Sequence, residues 1–258
     1  MTGSTLGPAT TFASGTPAGF DAEQGAESNR LLASLPSQAY ALLLPQLTPV
    51  RLALRDVLVE ANAPIEHVWF PREGACSVLA VEQVGGPVEA GAIGPEGFVG
   101  LPVLLAADAM PYRVIVQVAG SAWRLPAAAF RTLVDEWPVV RRTMLRYAQY
   151  YTDQVSQTAA CNRLHTVDAR CARWLLMTHD RVHHESYAIT HEFLAMMLGV
   201  RRAGVTVAMG ALQARGLVRY SRGRVEVLDR QGLARAACDC YRVTRDDYAR
   251  LFGDGAIG

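Results

Sequence analysis

The sequence has no lysine: all 25 of its basic residues are arginine. Beside the abundant alanine this points to a GC-rich coding sequence, and its chemical consequence is that the lysine of a phosphate-binding loop is missing. Cysteine is sparse. The five residues, at 76, 161, 171, 238 and 240, are odd in number and scattered, which is not the pattern of a disulfide framework. Long apolar runs are also lacking, and no stretch reaches the length of a membrane span. The first 29 residues contain no basic residue and no extended apolar core, so no secretory leader is expected, and a cytoplasmic location without membrane contact is. Paired carboxylates and a nucleophile elbow are absent, and the glycine-rich run from Gly94 to Gly100 carries no lysine. The chain is therefore not expected to be an enzyme, and no catalytic residue is assigned. No internal repeat is found.

What is present is enough for two domains, because 258 residues at 50% hydrophobic content can bury two separate cores. Residues 1–28 are rich in Gly, Ala, Ser, Thr and Pro, with Asp21, Glu23 and Glu27 as their only charges, and they read as a disordered tail. A short helix is expected from Asn29 to Leu44. From Val50 to Pro126 brief β-branched and aromatic runs (His67–Phe70, Cys76–Val81, Arg113–Val118) are punctuated by Gly and Pro, the spacing of an antiparallel β-roll. Ala127–Asp135 reads as a helix. A long helix follows from Pro138 to Asn162, with Val140, Met144, Tyr147, Tyr151, Val155 and Thr158 on one narrow stripe. That stripe has the form of a coiled-coil seam, and a helix packed on its own domain is the alternative. The expected fold is α+β: a roll over 29–137, a dimerisation helix over 138–162 and a DNA-binding domain over 163–258.

A helix over Thr166–His179 leads into residues 189–228, which read as helix, tight turn, helix and short hairpin. Ala195 supplies the small residue at a steep helix crossing, Gly199 the positive φ of the turn, and Val205 the apolar anchor of the second helix. Leu194, Leu198 and Val200 fill the core around them. Thr190 is placed as N-cap, with Glu192 in the first turn. The second helix opens with Arg201 and Arg202, where side chains of an inserted helix meet base edges. Leu217–Tyr220 and Arg224–Val227 then form strands around Ser221, Arg222 and Gly223. Residues 189–230 hold seven arginines against three acids, a local net of +4 in a chain whose overall net is +1. This is the layout of a winged helix-turn-helix, with Arg201, Arg202, Ala203, Thr206, Ser221, Arg222 and Arg224 as the DNA-binding residues.

A roll, a seam helix and a C-terminal winged helix-turn-helix in this order resemble the bacterial CRP/FNR superfamily of transcription regulators. The resemblance spans residues 29–253 and is most specific over 189–228. In the roll, Gly94-Pro95-Glu96-Gly97-Phe98-Val99-Gly100 resembles the family's glycine-rich turn. It implies a homodimer joined through the stripe Val140, Met144, Tyr147, Tyr151, Val155 and Thr158. It also implies double-stranded DNA as partner, a contact with RNA polymerase and a small-molecule effector held near Glu96, Gly97, Phe98, Gly100 and Arg113. Cyclic-nucleotide-binding members carry a glutamate after the glycine turn and an Arg-Ser/Thr-Ala at the phosphate. Here Leu101 follows Gly100, and Arg113 precedes Val114 and Ile115, so an effector other than cyclic AMP is expected. Arg113 reads either as a displaced phosphate ligand or as an arginine at a strand end. In the recognition helix Arg202 matches a family DNA-contacting position. Ala203 and Val207 stand where cyclic-AMP-type members have Glu and Arg, so the base readout differs. The alternative function is a small-molecule or redox sensor acting through protein contacts.

Three further groups are weighed: a histidine cluster as a metal site, Cys238-Asp239-Cys240 as a redox pair, and His67 as a haem ligand. His179, His183, His184 and Glu185 include an i, i+4 histidine pair. Cys238 and Cys240 fall within an expected helix, Gln231–Leu251, where their side chains diverge. His67 lies beside Trp69 in a strand and is a weak haem-ligand candidate. No metal and no cofactor are expected from any of them.

Overall fold

The described chain starts at a buried asparagine. In the computed structural model, which describes residues 29–81, 86–182 and 184–253, the Asn29 side chain accepts from Leu32 N at 2.9 Å. It also donates to Pro71 O at 2.7 Å and Gly97 O at 3.0 Å. The expected tail, 1–28, lies outside the described residues. The single helix expected over 29–44 is two, α1 (Arg30–Ala33) and α2 (Ser37–Leu43), followed by a 3₁₀ turn at Leu44–Gln46. Pro36 is the reason, since the residue before a proline is pushed out of the helical region.

Five antiparallel strands form the roll: β1 (Thr48–Leu52), β2 (Val57–Val59), β3 (His67–Ala80), β4 (Val88–Ile93) and β5 (Tyr112–Pro126). The sheet order is β1-β5-β3-β4, with β2 also on β5. The runs His67–Phe70 and Cys76–Val81 belong to one long strand rather than two. Its pairing with β5 shifts register between Pro71 and Cys76. Gly74 sits there at φ +84°, and a Cβ on it would lie 2.4 Å from Val118 O, so the bulge requires glycine. The roll's core is aromatic at its centre, with Phe98 5.6 Å from Phe70, 5.3 Å from Phe130 and 5.2 Å from Tyr147 between ring centroids. Helices α3 (Leu101–Leu104) and α4 (Ala127–Glu136) close it.

Helix α5 runs from Pro138 to Leu164 and corrects the expected seam. Val140, Met144 and Tyr147 are buried in the chain's own roll core. Tyr151 and Val155 meet β4, where a Cβ on Gly91 would lie 2.8 Å from Tyr151 Oη and 3.1 Å from Val155 Cγ2. Thr158 Oγ1 accepts from Arg173 at 3.1 Å. Val140, Met144 and Tyr147 are thus closed off inside their own chain, while Tyr151, Val155 and Thr158 pack on it half-buried. A single apolar stripe marks the face that is buried and does not say against what.

The second unit comprises α6 (Val167–His179), β6 (Ser186–Ala188), α7 (His191–Leu198), α8 (Arg202–Ala214), β7 (Val218–Ser221), β8 (Arg224–Val227), α9 (Arg230–Ala236) and α10 (Cys240–Phe252). Leu79 and Ile115 of the roll belong to its core, so the two units are packed together. Two buried polar contacts fix that packing. Arg181, just after α6, donates to Glu96 of the glycine-rich turn at 2.6 and 2.8 Å, with both side chains almost fully buried. Burial alone would raise the Glu96 pKa, but the guanidiniums of Arg181 and, at 3.7 Å, Arg30 together outweigh it and hold the carboxyl below its usual range.

The second contact is a polar chain. Glu89 of β4 accepts from Trp174 Nε1 at 3.1 Å and lies 2.6 Å from Ser77 Oγ. Ser77 Oγ is 2.7 Å from Gln117 Oε1, and Gln117 Nε2 donates to Thr178 at 3.1 Å. The single Ser77 proton cannot serve both Glu89 and Gln117. A protonated Glu89 that donates to Ser77 resolves the conflict. Consistent with this, burial pushes the Glu89 pKa up to about 7.

Replacing Arg181 by Met leaves Glu96 buried without its guanidinium and should cost about 3–5 kcal/mol in chemical denaturation. The double variant with Glu96→Gln should recover most of that loss, and an equal loss in the double variant would refute the pairing. For Glu89 the folded state holds a proton that the unfolded chain releases near 4.5, so stability should fall as pH rises from there to about 7. The fall should be no more than about 3 kcal/mol and level off above that window. In Glu89→Gln that slope should vanish from a series of thermal melts.

Candidate nucleic-acid interface

The helix-turn-helix follows from local grammar. Thr190 Oγ1 accepts from Phe193 N at 3.1 Å and starts α7, with Glu192 in its first turn. Gly199 ends α7 at φ +61°, and Val200 N returns to Ala195 O at 3.0 Å. Helices α7 and α8 cross at 107°. Val205, Ala208 and Met209 of α8 are fully buried against Leu194 and Leu198. Arg170 of α6 donates to Leu198 O and fastens the turn to the rest of the unit.

Burial of Val205, Ala208 and Leu212 turns the opposite face of α8 outward. Arg201, Arg202, Ala203 and Thr206 are exposed there, and Val207 is 70% exposed. Arg201 precedes the helix in extended conformation, and no side chain caps the first N–H groups of α8. Those groups, with the helix dipole, favour an anion at this end. The wing completes the site. Arg222 and Gly223 have φ of +50° and +74°, the two positive values of a type I′ hairpin turn. Ser221, Arg222 and Arg224 border that turn, and all three are exposed. Ile189 N donates to Gly223 O at 2.8 Å, so the wing tip is tied to the entry of α7.

The arginines are not equivalent. Among the described residues Arg201, Arg202 and Arg222 have no carboxylate within ion-pair distance, whereas Arg219 is held by Glu226 at 2.7 Å. Arg224 donates to Ser186 Oγ at 2.9 Å, which uses part of its fork on the third wing strand, β6. Thr206 Oγ1 donates to Arg202 O at 3.1 Å and is therefore left as an acceptor and a methyl toward solvent.

Two residues of this surface are not singled out by sequence pattern. His191 Nδ1 lies 3.1 Å from Thr206 Oγ1, and its ring stacks on Tyr220 with centroids 4.3 Å apart. Tyr220 N donates to Gln213 Oε1 at 2.8 Å. Together they bridge the start of α7, the recognition face of α8 and the wing. Burial, then Arg202, lowers the His191 pKa, and its buried Nε2 has no hydrogen-bond partner among the described residues. No sequence spacing links His191 to Tyr220; only the fold brings them together.

The residues expected at an effector pocket are dispersed. Glu96 is taken by Arg181. A Cβ on Gly97 would lie 2.1 Å from the Tyr147 ring, and Phe98 is in the roll core. Gly100, at φ +111°, precedes α3. Arg113 pairs with Glu60 at 2.8 Å near a strand end. A cavity of about 30 Å³ beside Glu96 is lined by Tyr150, Arg181, Tyr241 and Tyr248 and includes none of the other four. The volume suits one or two waters.

The cysteine expectation is corrected. The helix expected over Gln231–Leu251 breaks at Ala237–Asp239, so Cys238 sits in the break and Cys240 opens α10. Their thiols converge with Cys161 and His165 of the α5 end, all four ligand atoms within 4.8 Å of one another. His183 lies outside the described residues, and His179, His184 and Glu185 form no ligand group among the described ones. His67 is half-buried with its ring centroid 5.8 Å from that of Trp69.

Residues 49–136 match the model of the cyclic nucleotide-binding domain, and residues 169–236 match that of the Crp-like helix-turn-helix domain. No curated protein matches the chain. Among solved structures, FixK2 from Bradyrhizobium japonicum is similar at TM-score 0.63 and 15% identity, over 74% of this chain and 98% of its own. A CRP-family transcriptional regulator from Thermus thermophilus is similar at 0.61 and 20%, over 73% and 96%. The c-di-GMP-responsive global regulator CLP of Xanthomonas campestris is similar at 0.57 and 16%, over 74% and 99%. These structures share the fold. The chain thus holds a cyclic nucleotide-binding domain and a Crp-like helix-turn-helix domain, in this order and joined by one long helix, the arrangement of a CRP/FNR-type regulator.

Proposed function

We propose that the protein is a sequence-specific, dimeric DNA-binding regulator in which α8 enters the major groove and the wing holds the flanking backbone. The observation that supports this best is the exposed, uncapped N-terminus of α8, carrying Arg201 and Arg202 without carboxylate partners beside an arginine-bearing hairpin. Arg202 reads a base through its planar fork, Arg201 orients the helix, and Ala203 and Thr206 offer methyl and hydroxyl groups to neighbouring bases. Arg222 and Arg224 contact phosphate.

The dimer forms through the other face of α5. Arg142, Leu145, Gln149, Thr152, Ser156, Ala159 and Arg163 recur at spacings of three and four along the helix, and all seven stand open to solvent. This is a heptad seam of small and polar residues, with Leu145 45% exposed as its main apolar contact. Two such helices pair two recognition helices about 34 Å apart, one turn of DNA. The effector is one other than cyclic AMP: Leu101 stands where the resemblance calls for a glutamate, and Arg113 is engaged by Glu60.

Selection from random duplex DNA should enrich a two-fold symmetric site. Arg202→Ala should cost about 1–3 kcal/mol and relax one position of that site. Arg222→Ala should instead weaken all sequences alike and lower the salt slope by about 1. Equal losses for Arg202→Ala on selected and random DNA would contradict base reading. Leu145→Asp should halve the mass seen by sedimentation and lower affinity for the full site by about a hundredfold or more. A Leu145→Asp protein that stays dimeric would refute the seam.

A further inference from the structure

The α5 end and the α9–α10 junction bring together a donor set that the DNA-reading function does not use. Cys161 and His165 lie one turn apart at the C-terminal end of α5, and Cys238 and Cys240 flank Asp239 at the start of α10. Cys161 Sγ is 3.5 Å from Cys238 Sγ, and Cys240 Sγ is 3.5 Å from His165 Nδ1. Every pair of the four ligand atoms lies within 4.8 Å. In a tetrahedron with Zn–S and Zn–N bonds of ordinary length, those edges are about 3.6–3.8 Å. The cluster needs shifts of no more than about 1 Å to close on one ion.

Three observations separate this group from a chance meeting of thiols. The thiols are shielded: Cys161 and Cys240 are each 1% exposed and Cys238 9%, with Ala169 packed against them, while His165 is half-buried at the edge of the group. It has an outer shell, because Gln157 Nε2 donates to Cys240 Sγ at 3.0 Å, the bond that orients and stabilises a thiolate ligand. And it has counter-charge. Arg170 and Arg173 of α6 are buried, each with an Nε that has no partner, and among the described residues neither forms an ion pair. Both lie within Coulombic reach of Cys161. Buried guanidiniums without an anion are costly. Three thiolates and a neutral imidazole on a divalent ion carry one negative charge, which these arginines would offset.

We propose that Cys161, His165, Cys238 and Cys240 form a structural site for one Zn²⁺ per chain. On binding, the ion displaces the three thiol protons to solvent, four metal–ligand bonds form, and no electron is transferred. The site staples the end of the long helix to the junction of α9 and α10. Through α6 it also supports Arg170, whose guanidinium holds Leu198 O at the turn of the DNA-reading motif.

Elemental analysis of the full chain, purified under reductant without a polyhistidine tag, should find about one zinc per chain. Cys238→Ser and His165→Ala should lose most of it, while Cys76→Ser and Cys171→Ser, whose thiols lie outside the cluster, should keep it. Since a variant can lose metal by unfolding, the wild-type chain is also stripped with chelator and titrated with Co²⁺. Thiolate-to-cobalt charge transfer with tetrahedral d–d bands supports the site. A reduced, folded chain that takes up neither ion overturns it, as does cobalt bound without thiolate bands. A Cys161–Cys238 disulfide in the freshly reduced protein, read as a loss of two hydrogens by intact mass, also overturns it. None of these readouts depends on DNA binding.

Discussion

The ion pair between Glu96 and Arg181 is the contact on which the relative placement of the two units depends. Glu96 is anchored in the turn that packs through Gly97 on the Tyr147 ring, and Tyr248 Oη of α10 donates to Glu96 O at 3.1 Å. One residue thus meets the roll, the long helix, the α6 exit and the last helix. Neither partner is solvated, so separating them would strand a buried charge and cost several kcal/mol. A rotation of the DNA-reading unit about the α5 end must first find another partner for that charge. The Glu89 chain adds a second, neutral constraint a few residues away, through Ser77, Gln117, Trp174 and Thr178.

Much of the DNA-reading unit is legible in the sequence because its rules are local. A Thr before a helix, a Gly at a turn and an apolar residue three or four positions on each act within a single turn of chain. Thr190, Gly199 and Val205 do in the structure what those rules require. The hairpin is similarly announced by Arg222-Gly223, although its third strand, Ser186–Ala188, is too short to show any alternation. In the roll, β3 reads as two strands because the bulge around Gly74 interrupts a pattern of period two.

The long helix shows where periodicity runs out. Its most apolar stripe, from Val140 to Val155, packs on its own roll, with Thr158 meeting Arg173 of α6, and the face left open is built from Arg142, Gln149, Thr152, Ser156 and Ala159 with a single Leu145. Hydrophobicity ranks faces by burial and carries no label for the chain that does the burying. A seam of small residues is compatible with close helix approach but gives little apolar signal. The turn from Glu96 to Gly100 shows a related limit: its sequence marks a glycine-rich turn, and only the fold shows that Gly97 packs on Tyr147 and that Glu96 is paired with Arg181 of the same chain.

The thiol cluster is hidden from sequence reasoning by one local break with a distant consequence. Read as part of an unbroken helix, Cys238 and Cys240 point apart. With the break at Ala237–Asp239 they point together, toward a helix end more than seventy positions earlier in sequence. The residues that would neutralise the site, Arg170 and Arg173, look from sequence like two polar positions on an amphipathic helix. Among the described residues neither forms an ion pair, and the thiols beside them supply the group their charge can act on. Arg170 then has two neighbours of opposite electrostatic sign to its own: the thiol cluster on one side and the carbonyl end of α7 on the other. A metal that fixes the charge of the first sets how firmly the guanidinium holds the second. The stiffness of the helix-turn-helix is in this way tied to the chemistry at the end of the long helix rather than to the recognition surface itself.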